Sequence, residues 1–323
     1  MIPIKKIFTT LIIVSIATVV VHAQGDGPRF YWKSMAGLNA VPVFYSSLSG
    51  NSNPFDPSNT VLAGSNFSSS MAIAGYAKML PLFKRAAMVS IIEPMGRISS
   101  DVNIAGQSFN ETARGFGDPM LQLSVNLIGP KAITNMPDML RYKPGFSLDV
   151  IGSVAFPVGE YDNESPVNLG QNRWYGRVGF PIVWQLGSWV PGKRTTLELL
   201  PAAWLFGDNK DFVGKKLSTE AMFQVEGHLT RDFTEHFWVS LDAISYSGGD
   251  ATIDTVQTSG KTKAGLGGTF GYKINENMQM NVAYYSSIND QDDDDLKMDA
   301  FRVTFIYGWH KLIEGMHRIN KNE

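Results

Sequence analysis

Residues 300–309 read Ala-Phe-Arg-Val-Thr-Phe-Ile-Tyr-Gly-Trp. In an extended chain, Phe301, Val303, Phe305, Tyr307 and Trp309 share one face, and Arg302, Thr304, Ile306 and Gly308 share the other. Side chains alternate faces along a strand, so this stretch is a β-segment with one bulky, oily wall. The same period of two recurs elsewhere. Leu121, Leu123, Val125 and Leu127 alternate with Gln122, Ser124 and Asn126. Val178, Phe180, Ile182, Trp184 and Leu186 oppose Tyr175, Arg177 and Gln185. Phe223, Val225 and Leu229 oppose Glu220, Gln224, Glu226 and His228.

Alternation and turn signals together mark about twelve such segments. They span 35–46, 69–81, 86–98, 117–128, 145–158, 173–186, 195–207, 218–231, 236–248, 263–274, 278–288 and 297–309. Most exceed the usual strand of about 5–6 residues. They match the roughly 9–11 residues that a tilted strand needs to cross a bilayer. The links alternate in length. Residues 47–68, 99–116, 249–262 and 289–296 are long and polar, whereas 82–85, 232–235 and 275–277 are tight. The link at 129–144 is longer than the other turns on its side and suits a helical turn around 138–141. An even strand count, with long loops at one rim and short turns at the other, is the layout of an outer-membrane barrel. Hydrocarbon offers no partner to backbone N–H and C=O groups, so such a sheet must close on itself. The oily wall then faces lipid and the polar wall faces a lumen. Tyr31, Trp32, Trp174, Trp189, Trp238 and Trp309 are expected in the interfacial aromatic girdles. The competing fold is a soluble sandwich with the oily wall turned inward. The expected class is therefore an all-β, transmembrane, antiparallel up-and-down barrel of about twelve strands.

The start of the chain fits export. Lys5 and Lys6 precede a mostly apolar run over 7–21, followed by Val21-His22-Ala23. This is the order of a cleavable secretory signal, and the run is short for a spanning helix. Residues 1–23 are expected to be removed, leaving a barrel over 24–323 whose periplasmic tail covers about 311–323. The alternative is an uncleaved anchor. The 323 residues contain no cysteine, which excludes a disulfide framework, a thiol nucleophile and lipoprotein processing. With 28 Lys+Arg against 30 Asp+Glu, no basic excess points to nucleic acid. Charged residues are only 18% of the chain, below the roughly 25% of soluble domains.

Several short runs resemble an outer-membrane transporter family named for the MetA pathway of phenol degradation. They are Gly37-Leu38-Asn39-Ala40-Val41-Pro42, Gly115-Phe116-Gly117-Asp118-Pro119, Asn168-Leu169-Gly170-Gln171-Asn172-Arg173-Trp174, Gly265-Leu266-Gly267-Gly268 and Tyr307-Gly308-Trp309-His310. They occur in the family's order along nearly the whole expected mature chain. The resemblance implies a barrel in the outer membrane of a Gram-negative bacterium. Such a barrel passes or binds hydrophobic, often aromatic, compounds without a cofactor. One departure is the continuation past Trp309 to Glu323. Many such barrels end on an aromatic residue, so this tail is either a periplasmic extension or leaves the assembly signal inside the last strand.

Candidate selectivity residues on the polar wall are Asp149, Arg177, Glu198, Glu220, Glu226, Asp242 and Arg302. They either form a charged constriction or pack as mutually satisfied ion pairs. Arg173, beside Trp174 at a strand mouth, can pair a carboxylate, stack on an aromatic guest, or snorkel at the interface. The acidic run at 292–295 suits either a divalent cation or a solvated loop, and lacks the spacing of an EF-hand. The remaining histidines, His228, His236, His310 and His317, show no spacing that pairs them with serine, and no Gly-x-Ser-x-Gly elbow occurs. The expected function is passive passage of small hydrophobic or aromatic, phenol-like compounds. The expected partners are the bilayer, lipopolysaccharide, the solute and the outer-membrane barrel assembly machinery. A closed structural or adhesive barrel is the alternative, and a barrel hydrolase a third.

Overall fold

The computed structural model describes residues 25–61, 64–104, 107–257, 263–288, 292, 295–311 and 315. Along the chain run β1 (Asn39–Gly50), β2 (Asn66–Leu82), β3 (Arg85–Ile104), β4 (Gln107–Phe116) and β5 (Met120–Ile128). A short helix (Met136–Arg141) leads to β6 (Phe146–Ala155), β7 (Tyr175–Gly179), β8 (Ile182–Gln185) and β9 (Thr195–Phe206). Next come β10 (Asn209–Phe212), β11 (Lys215–Thr219), β12 (Met222–Asp232) and β13 (Phe237–Gly248). The chain continues with β14 (Ala251–Ile253), β15 (Val256–Gln257), β16 (Lys263–Lys273), β17 (Met278–Ser287) and β18 (Met298–Trp309).

Two staves are each made of two strands. β4 and β5 both lie along β3, interrupted at Gly117-Asp118-Pro119. β7 and β8 both lie between β6 and β9, interrupted at Phe180-Pro181, where proline has no N–H to give the ladder. Counted this way the sheet has twelve antiparallel staves. β18 pairs with β1 from Asn39↔Trp309 to Gly50↔Met298, which leaves no free edge at the chain ends. The result is a closed barrel, as the alternation requires. No described helix is long and apolar enough to cross a membrane.

The oily wall faces outward. Phe301, Phe305 and Tyr307 of β18 are exposed, as are Leu121, Leu123 and Leu127 of β5 and Phe223, Val225 and Leu229 of β12. Their polar neighbours Gln122, Ser124, Asn126, Gln224, Glu226 and His228 are buried inside. The apolar band is therefore the surface that contacts the bilayer. At one rim the turns are minimal. Phe83 and Lys84 form a two-residue turn between the paired Leu82 and Arg85, with φ of 49° and 63°. We take this rim as periplasmic and the opposite, long-looped rim as outer.

Four expectations change. The first strand begins at Asn39 rather than near residue 35, because Met35 is buried and Gly37, at φ 96°, turns the chain against His310. The link over 99–116 is a projecting hairpin, with β3 and β4 paired out to Ile104↔Gln107. Part of the link over 249–262 joins β10 and β11 in a separate four-stranded sheet at the outer end. The fourth change concerns the aromatics. Trp174 is exposed on the outer wall, and Trp309 packs with Tyr76 and Tyr307 at the periplasmic rim. Tyr31 and Trp238 are buried inside, and Trp32 packs against the Tyr31 cluster and on Trp189, 4.8 Å between ring centres, because they hold a segment that threads the lumen. The helical turn expected within 129–144 is present. Asn135 caps it, accepting the Asp138 backbone N–H at 2.9 Å.

Candidate functional site

The segment before β1 folds up the inside of the barrel. Nothing in its own sequence alternates. Its position follows from what the lumen wall offers, which is an excess of carboxylates. Glu226 accepts the backbone N–H groups of Asp26 and Gly27 at 3.2 and 3.0 Å. Glu198 accepts the Arg29 N–H at 3.0 Å and the Trp32 indole N–H at 2.9 Å. Asp149 accepts the Lys33 ammonium, Ser124 and Asn126. Arg29 pairs with Asp232, which also takes Arg194 at 2.7 Å. The Arg29 guanidinium lies between the Trp32 and Trp238 rings, 4.3 and 4.1 Å from their centres. Asp26 receives Arg177 at 2.8 Å and the Tyr31 hydroxyl.

Charged side chains this buried are stable only when paired and hydrogen-bonded. Here the pairing joins two parts of the chain about 115–205 residues apart. His228 extends the network along the wall. Its ring nitrogens lie 2.7 Å from Asp242 and 2.8 Å from Glu226. Asp242 is further held by Thr269 at 2.6 Å.

The outer mouth is filled from above by residues 51–61, most of them buried. Asp56 in this loop accepts Arg173 Nη2 at 3.1 Å, and Arg173 Nη1 donates to Thr219 at 2.6 Å. Lys263 donates to the Ser58 and Asn59 carbonyls. The two central motifs of the sequence meet just below. Asp118 accepts the backbone N–H of Gly159 at 2.9 Å and of Gln171 at 2.8 Å. A Cβ on Gly159 would lie 2.5 Å from the Gly117 backbone, and one on Gly170 would lie 2.6 Å from Gly159. Only glycines allow the three strands of chain to touch this closely.

A cavity of about 230 Å³ remains between the inner segment and the outer loop. Phe44, Phe55, Met71, Ile73, Met120 and Trp204 give it an apolar wall, and Arg177, Arg302, Asp26, Asp118 and Gln122 supply polar groups.

The sequence-derived candidates thus fall into three groups. Asp149, Arg177, Glu198, Glu226, Asp242 and Arg302 sit on the lumen wall. Arg173 is buried in the outer mouth, where it pairs a carboxylate; its ring contact is Phe206, 5.1 Å away. Glu220 does not belong to the lumen. It is exposed, and its N–H bonds to Asp250 in the loop region before β12 begins. Alternation was extended there beyond the strand's true start at Met222. Of the acidic run, Asp292 and Asp295 form a hydrogen-bonded turn, and Asp293 and Asp294 lie outside the described residues. His236 bonds the Lys273 carbonyl and His310 the Ala36 carbonyl, while His317 is outside the described residues. Sequence reasoning missed Asp26, Arg29, Lys33, Asp56, Asp118 and Asp232. The available signal was charge. The candidates were five acids against three arginines, which called for cations from another part of the chain.

Among solved structures, one with a TM-score well above 0.5 shares this architecture. The COG4313 outer membrane channel from Pseudomonas putida F1 superposes with a TM-score of 0.70 at 15% identity, over 88% of this chain and all of that one (100%). The β domain of the Bordetella autotransporter BrkA gives 0.46 at 9% identity, over 85% and 100%. The Pseudomonas putida toluene transporter TodX gives 0.41 at 9% identity, over 85% and 89%. No curated protein sequence is significantly similar. The family described as "Putative MetA-pathway of phenol degradation" matches residues 50–305. With that match over most of its length, the chain belongs to the MetA-pathway phenol-degradation family, and its closed twelve-stave barrel with an outward apolar band is an outer-membrane barrel.

Proposed function

We propose that the protein is a passive channel for small hydrophobic or aromatic, phenol-like compounds. The observation that carries this reading is the cavity. In a lumen otherwise crowded with ion pairs, it has a wall of Phe44, Phe55, Met71, Ile73 and Trp204. Ligand sites are typically mostly apolar with a few placed polar groups, and this cavity fits that description. Passage needs no energy source and no cofactor. His228 faces carboxylates on both sides, which supports transport over a serine–histidine hydrolase. Contact with lipopolysaccharide and insertion by the barrel assembly machinery belong to the same reading. Purified protein in liposomes is expected to admit phenol and cresols faster than empty vesicles do. Uptake equal to that of empty vesicles refutes the channel.

A sealed structural barrel is the second reading, favoured by the double closure of the lumen, by Asp56–Arg173 above and Arg29–Asp232 below. Planar-bilayer recording separates the two, since a sealed barrel gives no conductance steps.

We also propose that residues 1–23 are removed. Gly25 is already inside the barrel, its carbonyl 3.0 Å from Arg302. A Cβ there would lie 2.2 Å from the Glu226 carboxylate. An apolar leader continuing from this point would have to share the ion-paired interior. N-terminal sequencing of protein from outer membranes is expected to begin at Gln24, and a start at Met1 would overturn processing.

A further inference from the structure

Arg302 is the cation of the cavity wall that has no carboxylate partner among the described residues. Arg29, Arg173, Arg177 and Lys33 each meet a carboxylate. Arg302 lines the cavity, donates one Nη1–H to the Gly25 carbonyl at 3.0 Å, and pairs with none of the described carboxylates. Its guanidinium lies 6.0 Å from the centre of the Phe44 ring and 5.5 Å from that of Tyr285. A guanidinium has five N–H donors in a planar fork that matches a carboxylate.

The two carboxylates that line the same cavity do not supply the missing anion. Both oxygens of Asp26 are taken by Arg177, and one also accepts Tyr31. Asp118 spends one oxygen on Gly159 and the other on Gln171. Arg177 is neutralised by Asp26 and also reaches Gln122. The guanidinium at the cavity wall left without a carboxylate is therefore that of Arg302. Opposite it stands the apolar surface of Phe55, Met71, Ile73 and Trp204.

We infer that the cavity takes a small organic monoanion, an aromatic or short aliphatic carboxylic acid whose carboxylate pairs with Arg302 while its body lies on the apolar wall. The inference rests on the channel reading above and narrows it from neutral phenol-like guests to amphipathic acids. The carboxylate completes an ion pair that the fold leaves half-made, and the fixed fork orients the guest before it moves on.

The test is isothermal titration of the detergent-solubilised full-length protein with benzoate and with benzyl alcohol, which have the same ring but differ in charge. Wild type is expected to bind benzoate about tenfold or more tightly than the alcohol, the scale of a charge-assisted hydrogen-bonded pair. Arg302→Gln is expected to abolish that preference, and Arg302→Lys to retain part of it. Circular dichroism checks that the variants keep the barrel. Alcohol binding as tight as benzoate in wild type, or a preference that survives Arg302→Gln, overturns the inference and leaves the apolar-guest channel standing. Binding of neither ligand overturns both. Should Arg302→Gln fail to fold, the wild-type preference and the lysine variant still decide the matter.

Discussion

Deleting residues 25–33 is expected to convert a nearly closed barrel into one with large, steady conductance steps in planar bilayers. This segment fills the periplasmic half of the lumen and is held there by polar contacts to Glu226, Glu198, Asp232 and Asp149. A single substitution should move the same equilibrium part way. Asp232→Ala leaves Arg29 and Arg194 facing each other without an anion. Breaking one partner of a buried pair costs about 3–5 kcal/mol, and the nearby periplasm favours the lower end. A change of about 3 kcal/mol shifts the seated-to-released ratio by roughly two decades. Long openings should therefore appear in Asp232→Ala where wild type shows brief or no openings. The barrel itself should stay folded, because the twelve staves and their β1–β18 closure do not involve the segment. Unchanged conductance in both variants would mean that the segment does not limit passage.

The largest expected loss of stability is at Asp118. Asp118→Ala removes the acceptor for two backbone N–H groups, those of Gly159 and Gln171. Hydrogen bonds to a charged group contribute about 1.5–3 kcal/mol each, so the loss should be about 3–5 kcal/mol. Asp118→Asn keeps one carbonyl acceptor and should lose about half of that. Urea unfolding from lipid vesicles, followed by tryptophan fluorescence, measures both. A loss under about 1 kcal/mol for the alanine variant would show that glycine packing alone holds the junction. The junction matters for passage as well, since Asp118 also lines the cavity.

Strand positions were readable because the barrel is built from local repeats. The expected spans 195–207, 236–248 and 278–288 match Thr195–Phe206, Phe237–Gly248 and Met278–Ser287 to within a residue or so. Each strand carries its own two-faced pattern, and lipid and lumen impose the same pattern on every strand. Errors arose where a residue's surroundings come from elsewhere in the chain. Trp238 looks like an interfacial tryptophan by composition, yet it is buried against Arg29, which lies 209 positions earlier. Glu220 fits the alternation of β12 but lies before its start, where the chain has left the wall. The Gly117-Asp118 and Gly170-Gln171 motifs were both visible, but their contact through Gly159 was not.

By itself the sequence determined the class of fold, the inward and outward faces, and the lumen positions of Asp149, Arg177, Glu198, Glu226, Asp242 and Arg302, because a period of two is written into neighbouring residues. Only the tertiary structure decided what fills the lumen. Whether a carboxylate on one stave meets Arg29 or empty space depends on barrel closure, which brings residues some 200 positions apart within hydrogen-bond distance, and no local pattern encodes that meeting.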